Sequence, residues 1–266
     1  MELQHAWPEL HAARVAVFGL SYDAVDVLAG FAEKRGITFP LLSDEGSHAI
    51  RALGLLNEHV AEQHAYYGVA VRDEHHGVPY PGTFVLDENG FLTAKYFEQS
   101  YRVRPTAALF REFALGSPGD HPPAAVHADG TLQIRAWTDT PTYRPYQQQR
   151  LHVELDLPHG THVFAAPAPE DYAAMEVDVE PLESLTIGPM ESSAPTEHFR
   201  VPGVDQDMTV YTGSPRVTLP LLFTKTLGPT PLQINITYQS CTETICFPPR
   251  TAQLTVTLEG LDLMRD

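Results

Sequence analysis

The sequence predicts two domains, an α/β domain followed by an all-β sandwich. Apolar strand-like runs alternate with helical segments up to about residue 115, which is typical of α/β domains with parallel strand pairing. Beyond residue 130 the chain changes to short alternating segments separated by Pro and Gly. Residues 116–129 are rich in Pro and Gly and lack apolar periodicity. We therefore expect domains at 1–115 and 130–264 joined by a linker at 116–129, a division that suits 266 residues.

The first domain is predicted to begin with alternating helices and buried strands. Apolar residues recur at helical spacing within residues 1–12, which we expect to be the end of a helix. Arg14–Leu20 and Phe39–Leu42 are apolar runs of the kind that parallel sheets bury on both faces. A short helix is expected from His48 to Leu53. This order of elements predicts parallel strand pairing.

The helix between these two strands has recognisable ends. Asp23 is a residue type that caps helix N-termini, and Gly36 is the type that ends helices. Val27, Leu28 and Phe31 fall on one face, which we expect to be buried.

The end of the first domain is predicted to hold a hairpin and a helix. Thr83–Leu86 reads as a strand, Glu88–Gly90 as a tight turn, and Phe91–Phe97 as the antiparallel return strand. A last helix is expected to open near Arg104, followed by a proline that suits a first helical turn.

The second domain is predicted from seven short segments that alternate apolar and polar residues. Such a series, with turn residues between its members, is typical of a β-sandwich. The predicted strands are Thr131–Thr138, Arg150–Leu157, Thr161–Ala165, Met175–Val179, Arg216–Phe223, Gln233–Tyr238 and Gln253–Leu258.

The composition excludes several classes of partner. The chain has 17 basic and 34 acidic residues, and its net charge of −17 repels phosphate backbones and anionic lipid surfaces. We therefore expect no nucleic-acid partner. No apolar run approaches the roughly 20 residues of a membrane-spanning helix, so no membrane insertion is expected. Residues 1–9 lack the basic and apolar regions of a signal peptide, which favours the cytoplasm for the chain as given.

The two cysteines of the chain, Cys241 and Cys246, lie in one short segment, Tyr238–Pro249. The alternating segments on either side predict a hairpin-like strand pair with both sulfurs near its turn. Pro248 and Pro249 lack backbone donors, so the second strand is expected to start pairing only after them. The spacing alone is compatible with either a redox pair or a structural disulfide.

The first domain resembles the peroxiredoxin (AhpC/TSA) branch of the thioredoxin-like superfamily. The matching stretches are Val15–Asp23, Phe39–Asp44 and Tyr80–Gly90. The resemblance implies a thioredoxin-like fold. It makes Pro81 the family's loop proline, commonly cis, which in the superfamily docks a bound chain.

That resemblance also places the family's catalytic cysteine and central strand ahead of Met1. This chain has no cysteine before Cys241, so peroxide reduction by residues 1–115 is not expected. The sheet is expected to need upstream residues or to close in another way. A peroxiredoxin fragment whose cysteine lies upstream stays open as an alternative.

The second domain resembles the immunoglobulin-like N-terminal periplasmic domain of the thiol:disulfide interchange protein DsbD. The matching stretches are Leu157–Phe164, Val210–Tyr211 with Arg216–Leu221, and Tyr238–Pro249. The resemblance implies that Cys246 forms the mixed disulfide with a thioredoxin-like protein partner and that Cys241 resolves it. It also favours the periplasm, so the compartment stays open. The predicted fold is thus an α/β thioredoxin-like domain plus an all-β immunoglobulin-like sandwich.

The same resemblance indicates which residues surround the sulfurs. His162 and Phe164 fall where the family places aromatic residues, and we expect both to contact a bound partner. The family's cap loop corresponds to Gly203–Tyr211, which lacks the usual aromatic pattern. Either Met208 or Tyr211 would then shield the sulfurs, or the pair would be more open.

The predicted function is thiol-disulfide exchange by a thiol-disulfide oxidoreductase that needs no cofactor. Glu243 would raise the pKa of a neighbouring thiol, and Arg250 is the nearest basic side chain in sequence. The alternative is a non-catalytic interaction module with a structural disulfide.

No metal site is expected. Zinc prefers four ligands, and a second Cys or His pair at suitable spacing is missing near the cysteines. Histidines and carboxylates also cluster in the first domain, where we interpret them as a solvated insertion. They are His59, His64, His75 and His76 with Glu58, Glu62, Asp73 and Glu74.

Overall fold

The structure is a computed structural model that divides the chain into two compact units, residues 1–119 and 120–266. It describes residues 2–66, 68, 70–72, 75, 77–98, 100, 102–117, 119, 121–193, 196–200 and 207–262. The first unit mixes helices and strands, and every regular element described in the second unit is a strand. The predicted α/β and all-β classes are therefore confirmed.

The first unit contains five helices and five short strands among its described residues. The helices are α1 (Glu2–Ala12), α2 (Val25–Arg35), α3 (His48–Ala52), α4 (Val60–Tyr66) and α5 (Ala107–Leu115). The strands are β1 (Gly19–Ser21), β2 (Leu41–Ser43), β3 (Gly82–Leu86), β4 (Leu92–Phe97) and β5 (Arg104–Pro105).

The strands β1 to β4 form two separate pairs in the described part of this unit. Strands β1 and β2 are parallel, whereas β3 and β4 form the predicted antiparallel hairpin. The prediction that the first two strands are buried on both faces was wrong: Phe18 is 59% exposed, and Leu20 and Leu42 are also exposed. The physical reason is that two three-residue strands paired only with each other make a narrow sheet, which covers little apolar surface.

The ends of the helices follow local side-chain and backbone chemistry. Gly36 ends α2 in a left-handed conformation, as predicted, and Thr106 caps α5 by accepting a hydrogen bond from the Leu109 amide. The prediction that Asp23 caps α2 was wrong, because its carboxylate instead accepts a hydrogen bond from the Ser21 hydroxyl. On α2 only Leu28 of the predicted face is buried.

The second unit contains fourteen strands among its described residues. They are β6 (Ala125–Ala128), β7 (Gln133–Thr138), β8 (Thr142–Tyr143), β9 (Gln147–Asp156), β10 (His162–Phe164), β11 (Glu176–Val179), β12 (Leu185–Ile187), β13 (Glu191–Ser192), β14 (Glu197–Arg200), β15 (Asp207–Thr212), β16 (Arg216–Phe223), β17 (Pro229–Tyr238), β18 (Ser240–Cys241) and β19 (Arg250–Gly260).

These strands form a sandwich with an additional small sheet. One layer has the order β12-β16-β9-β7-β6, the other has the order β11-β17-β19-β8, and the small sheet has the order β14-β15-β10-β18. The two layers pack their apolar residues into one core, which includes Ile134, Val153, Ile234 and Leu254. All seven strands predicted from alternation are present.

The described residues of the predicted linker contain one regular element. Strand β6 lies within it and pairs with β7 in antiparallel fashion. The domain limits of 1–115 and 130–264 remain predictions. No helix among the described residues has the length and apolar character needed to cross a membrane.

Candidate functional site

The two cysteines lie in the connection between strands β17 and β19 of the sandwich and form a disulfide. Strands β17 and β19 pair in antiparallel fashion up to Tyr238 and Arg250. Pairing thus starts immediately after Pro249, which confirms the predicted hairpin-like arrangement and the predicted effect of the two prolines.

The connection itself is held by short-range hydrogen bonds. The Thr242 amide donates to the Ile245 carbonyl at 2.8 Å, and the Phe247 amide donates to the Ser240 carbonyl at 2.9 Å. The buried side chain of Gln239 accepts from the Ala173 amide at 2.9 Å and donates to the Phe247 carbonyl at 3.0 Å. Gln239 therefore fixes both sides of the cysteine loop to the domain.

The two halves of the disulfide differ in their exposure. Cys241 is 0% exposed, whereas Cys246 is exposed at the outer side of the loop beside Ile245, which is 59% exposed. A thiolate or disulfide partner in solution can therefore approach Cys246, while Cys241 is shielded.

Strand β10 forms the inner wall of the cysteine site. In the antiparallel ladder between β10 and β18, His162 lies directly opposite Cys241. Directly opposed residues project to the same face, and so do alternate residues along one strand, which brings His162, Phe164 and Cys241 to one face. Val163 projects to the other face and belongs to the main sandwich core.

The face that carries Cys241 is covered by an apolar and aromatic cluster. Phe164, Met208 and Val210 are buried together with Cys241. The ring of Phe164 lies 4.8 Å from that of Tyr172, and the ring of His162 lies 4.3 Å from that of Phe199. The buried sulfur is therefore enclosed in a low-dielectric pocket.

Met208 and Tyr211 have different surroundings, although each was a candidate to shield the sulfurs. Met208 packs in the cluster around Cys241, whereas Tyr211 contributes to the sandwich core. The first four residues of the loop compared with the family's cap, Gly203–Gln206, lie outside the described residues.

The imidazole of His162 is buried next to Cys241. The residue is 5% exposed, and its Nε2 atom has no hydrogen-bond partner among the residues that the structure describes. Desolvation by burial lowers the pKa of His162, so the ring is neutral near pH 7.

Arg250, the nearest basic side chain in sequence, pairs with Asp129. The Arg250 guanidinium donates to the Asp129 carboxylate at 2.5 Å, and the Tyr238 hydroxyl donates to the same oxygen at 2.8 Å. Desolvation raises the pKa of Asp129, but hydrogen bonds from Thr131, Tyr238 and Arg250 outweigh it and hold the pKa below its ordinary value. The positive charge of Arg250 is therefore used to anchor the base of the hairpin.

Pro81 lies in the first unit, at the entry to β3. The resemblance implied a cis peptide bond, but this bond is trans, since the only cis bond within the described ranges precedes Pro167. The Tyr80 amide donates to the Leu55 carbonyl at 2.7 Å, and the Glu98 amide donates to the Pro81 carbonyl at 3.1 Å. These bonds hold an extended entry to the strand, which the trans isomer suits.

The histidine-rich segment of the first unit has local contacts. His59 pairs with Glu62 at 3.0 Å, and the rings of His64 and His75 lie 4.5 Å apart. Among the described residues, no three His, Cys, Asp or Glu side chains form a metal-binding group. Asp73, Glu74 and His76 lie outside the described residues.

Comparison with known families gives one match for each part of the chain. Residues 1–95 match the model of the AhpC/TSA family, and residues 135–258 match the model of the N-terminal part of the thiol:disulfide interchange protein DsbD. The chain thus combines an AhpC/TSA region with a DsbD N-terminal-like, immunoglobulin-like domain that contains the Cys241–Cys246 disulfide. Both resemblances inferred from sequence motifs are confirmed.

Similar individual proteins match parts of the chain. A Coxiella burnetii protein that carries the name of a peroxiredoxin, bcp, is 35% identical over 92 residues, which are 33% of this chain and 52% of the relative. The chain therefore spans about half the length of this curated relative. The N-terminal periplasmic domain of ScsB from Proteus mirabilis is 15% identical with a TM-score of 0.36, and the match covers 50% of this chain and 49% of that one.

A further structure is that of the Neisseria meningitidis DsbD N-terminal domain in its reduced form. It is 20% identical with a TM-score of 0.30, and the match covers 41% of this chain and 78% of that one. Another describes the complex between the DsbD and PilB N-terminal domains of the same organism, at 17% identity, a TM-score of 0.30 and coverage of 50% and 80%.

No sequence motif marks the residues that support the cysteine loop. Gln239 is adjacent to the motif but has no distinctive signal, and Asp129 lies 112 positions before Cys241 in the predicted linker. Only the pairing of strands brings Asp129 to Tyr238. The roles predicted for Cys246, Cys241, Pro81, His162 and Phe164 stay predictions.

Proposed function

We propose that this protein exchanges disulfides with thioredoxin-like proteins through Cys246 and Cys241. The observation that carries the proposal is the unequal exposure of the two cysteines: Cys246 is exposed and Cys241 is fully buried. The match of this domain to the DsbD N-terminal family supports the same chemistry. Residues 1–95 contain no cysteine, so thiol chemistry within residues 1–266 rests on this pair.

The exchange would proceed in two steps. In the dithiol state, the Cys246 thiolate attacks a partner disulfide and forms a mixed disulfide, and one partner sulfur leaves as thiolate. The Cys241 thiolate then attacks Cys246, forms the internal disulfide and releases the second partner thiolate. Two electrons pass to the partner, and the reverse sequence reduces the protein.

Two cysteine variants test this order of attack. With reduced protein and oxidised thioredoxin as the probe, Cys241→Ser is expected to accumulate a mixed disulfide, because Cys246 can attack but nothing resolves the product. Cys246→Ser is expected to form none, because the remaining thiol is buried. Non-reducing electrophoresis and intact mass detect the adduct. Adduct formation by Cys246→Ser, or by neither variant, would contradict the proposal.

A structural disulfide is the competing interpretation, since Cys241 is buried and the loop is short. The reduction potential separates the two. A value below about −300 mV indicates a disulfide that resists cellular reductants, and a higher value indicates an exchangeable pair. We expect the higher value, measured by equilibration with thiol–disulfide buffers and quantified by alkylation and mass. Pro81 is proposed only as a docking residue of the first unit.

A further inference from the structure

His162 has a polar atom that its surroundings leave unused. The residue is 5% exposed, and Nε2 has no hydrogen-bond partner among the described residues. A buried polar nitrogen without a partner is unfavourable, and such groups in folded proteins require an explanation. The apolar rings around it, Phe164 and Phe199, cannot supply a hydrogen bond.

The position of His162 suggests which group would meet this nitrogen. His162 and Cys241 are directly opposed in the antiparallel ladder of β10 and β18. The Cβ atoms of such pairs lie about 4.5–5.5 Å apart, and the side chains share a face. The imidazole is therefore a neighbour of the Cys241 side chain on that face. In the disulfide state that sulfur has no proton, whereas in the dithiol state its S–H group is a donor.

We propose that His162 is the proton acceptor of Cys241 when Cys241 attacks the mixed disulfide, and its proton donor in the reverse step. This inference rests on the proposed exchange function. It assigns to His162 a catalytic role in addition to the packing and partner contact expected from its position.

The proton and electron balance is complete with the groups present. Nε2 takes the proton of the Cys241 thiol, and the resulting thiolate attacks the Cys246 sulfur. The bond between Cys246 and the partner breaks, and the partner leaves as thiolate with its electron pair. The proton passes from His162 to that thiolate or to water. In the reverse direction, an external thiolate attacks Cys246 and expels Cys241, which takes the proton from His162.

The apolar pocket makes such a proton acceptor necessary. Burial among apolar groups raises the pKa of a thiol, so the Cys241 thiolate is scarce without a base. Glu197, on strand β14 at the edge of the same small sheet, is exposed and accepts a hydrogen bond from the Thr212 hydroxyl at 2.7 Å. The titratable groups described on the other strands of this sheet and on the segment beside Phe164 are Cys241, Tyr211, Glu197, His198, Glu170, Asp171 and Tyr172. Of these, Cys241 lies directly opposite His162.

A two-phase release assay tests the role of His162 in the full chain. Reduced protein is mixed with one equivalent of the disulfide of thionitrobenzoate, whose leaving group absorbs visible light. The first equivalent is released when Cys246 attacks, and the second when Cys241 resolves the adduct. For His162→Gln at pH 7, we expect the second phase to slow by about 100-fold or more, with the first phase within about twofold.

The pH profile distinguishes proton transfer from packing. In the natural protein the second phase is expected to be nearly flat between about pH 7 and pH 8, because His162 is already neutral. In His162→Gln it is expected to rise about tenfold per pH unit, because solvent must then supply the thiolate. His159→Gln, at an exposed histidine three residues earlier, is the matched control and is expected to match the natural protein.

Several outcomes would overturn the role of His162. These are an unchanged second phase in His162→Gln, equal slowing of both phases, or a flat pH profile in the variant. His162→Phe keeps an aromatic ring in the cluster and is expected to slow the second phase selectively as well. This second variant keeps the test valid if glutamine does not fit at position 162. A natural protein that releases no thionitrobenzoate at all contradicts the exchange function itself, and with it this inference.

Discussion

Removal of the Asp129 carboxylate is expected to destabilise the second unit by about 3 kcal/mol. The Tyr238 hydroxyl donates to Asp129 at 2.8 Å, and Tyr238 is 1% exposed. In Asp129→Ala this hydroxyl loses its acceptor, which costs about 1–3 kcal/mol. The ion pair with Arg250, whose side chain is 42% exposed, adds little because solvent screens it.

Urea unfolding measures this loss if the signal comes from the second unit alone. The chain has two tryptophans, Trp7 and Trp137, so a Trp7→Phe background leaves the fluorescence of Trp137 as the reporter. With a slope of about 1–3 kcal/mol per molar urea, a 3 kcal/mol loss lowers the midpoint by at least about 1 M. Asp156→Ala, which removes an exposed carboxylate of the same unit, is the control and is expected to change the urea midpoint little.

The pH dependence and a double variant check the mechanism. Because the folded-state pKa of Asp129 is lowered, its contribution is fully present above the ordinary aspartate pKa of about 3.9 and is lost as pH falls through the folded-state value. The difference in the free energy of unfolding between the natural protein and Asp129→Ala should therefore become smaller in acid. Adding Tyr238→Phe to Asp129→Ala should recover stability, because it removes the unpaired hydroxyl. The reasoning would be refuted if the difference in unfolding free energy did not change with pH. It would also be refuted if the double variant were no more stable than Asp129→Ala.

Two further predictions concern packing and backbone conformation. Met208→Ala is expected to cost about 2–5 kcal/mol in the same urea assay, because Met208 is 2% exposed in the Cys241 cluster, and a loss below about 1 kcal/mol would contradict that packing. Gly36→Ala is expected to destabilise the first unit by about 1 kcal/mol, because Gly36 ends α2 at a φ of 61°. The control Gly30→Ala, in the same helix and with open space for a Cβ atom, should be neutral or stabilising, and equal effects of the two substitutions would refute the conformational argument. The two glycine variants are measured by Trp7 fluorescence in a Trp137→Phe background.

The alternating strands of the second unit could be predicted because each buries one face. Arg216–Phe223 is an example, since every second residue from Val217 to Phe223 is buried in the core. The position of the cysteines between two strands could also be predicted, because the prolines block pairing before Arg250.

Predictions for the first unit failed where apolar character was equated with burial. Phe18 lies in the first apolar run, and Val27 and Phe31 lie at helical spacing on α2, yet all three are exposed. Periodicity gives the face on which residues lie, but burial requires another element to cover that face. The support of the cysteine loop by Asp129 was also missed, because it depends on a contact between residues far apart in sequence.

Alternate residues of strand β10 belong to two different environments, the sandwich core and the wall around Cys241. Its middle residue, Val163, contributes to the sandwich core, and its outer residues, His162 and Phe164, form the wall around Cys241. Substitutions at 162 and 164 can therefore adjust the environment of the sulfur while the core contact of Val163 stays intact. An insertion or deletion of one residue in β10 would instead exchange the two sets, placing an imidazole in the core and a valine at the sulfur. The site can thus vary in chemistry at fixed strand length, but it cannot tolerate a change in that length.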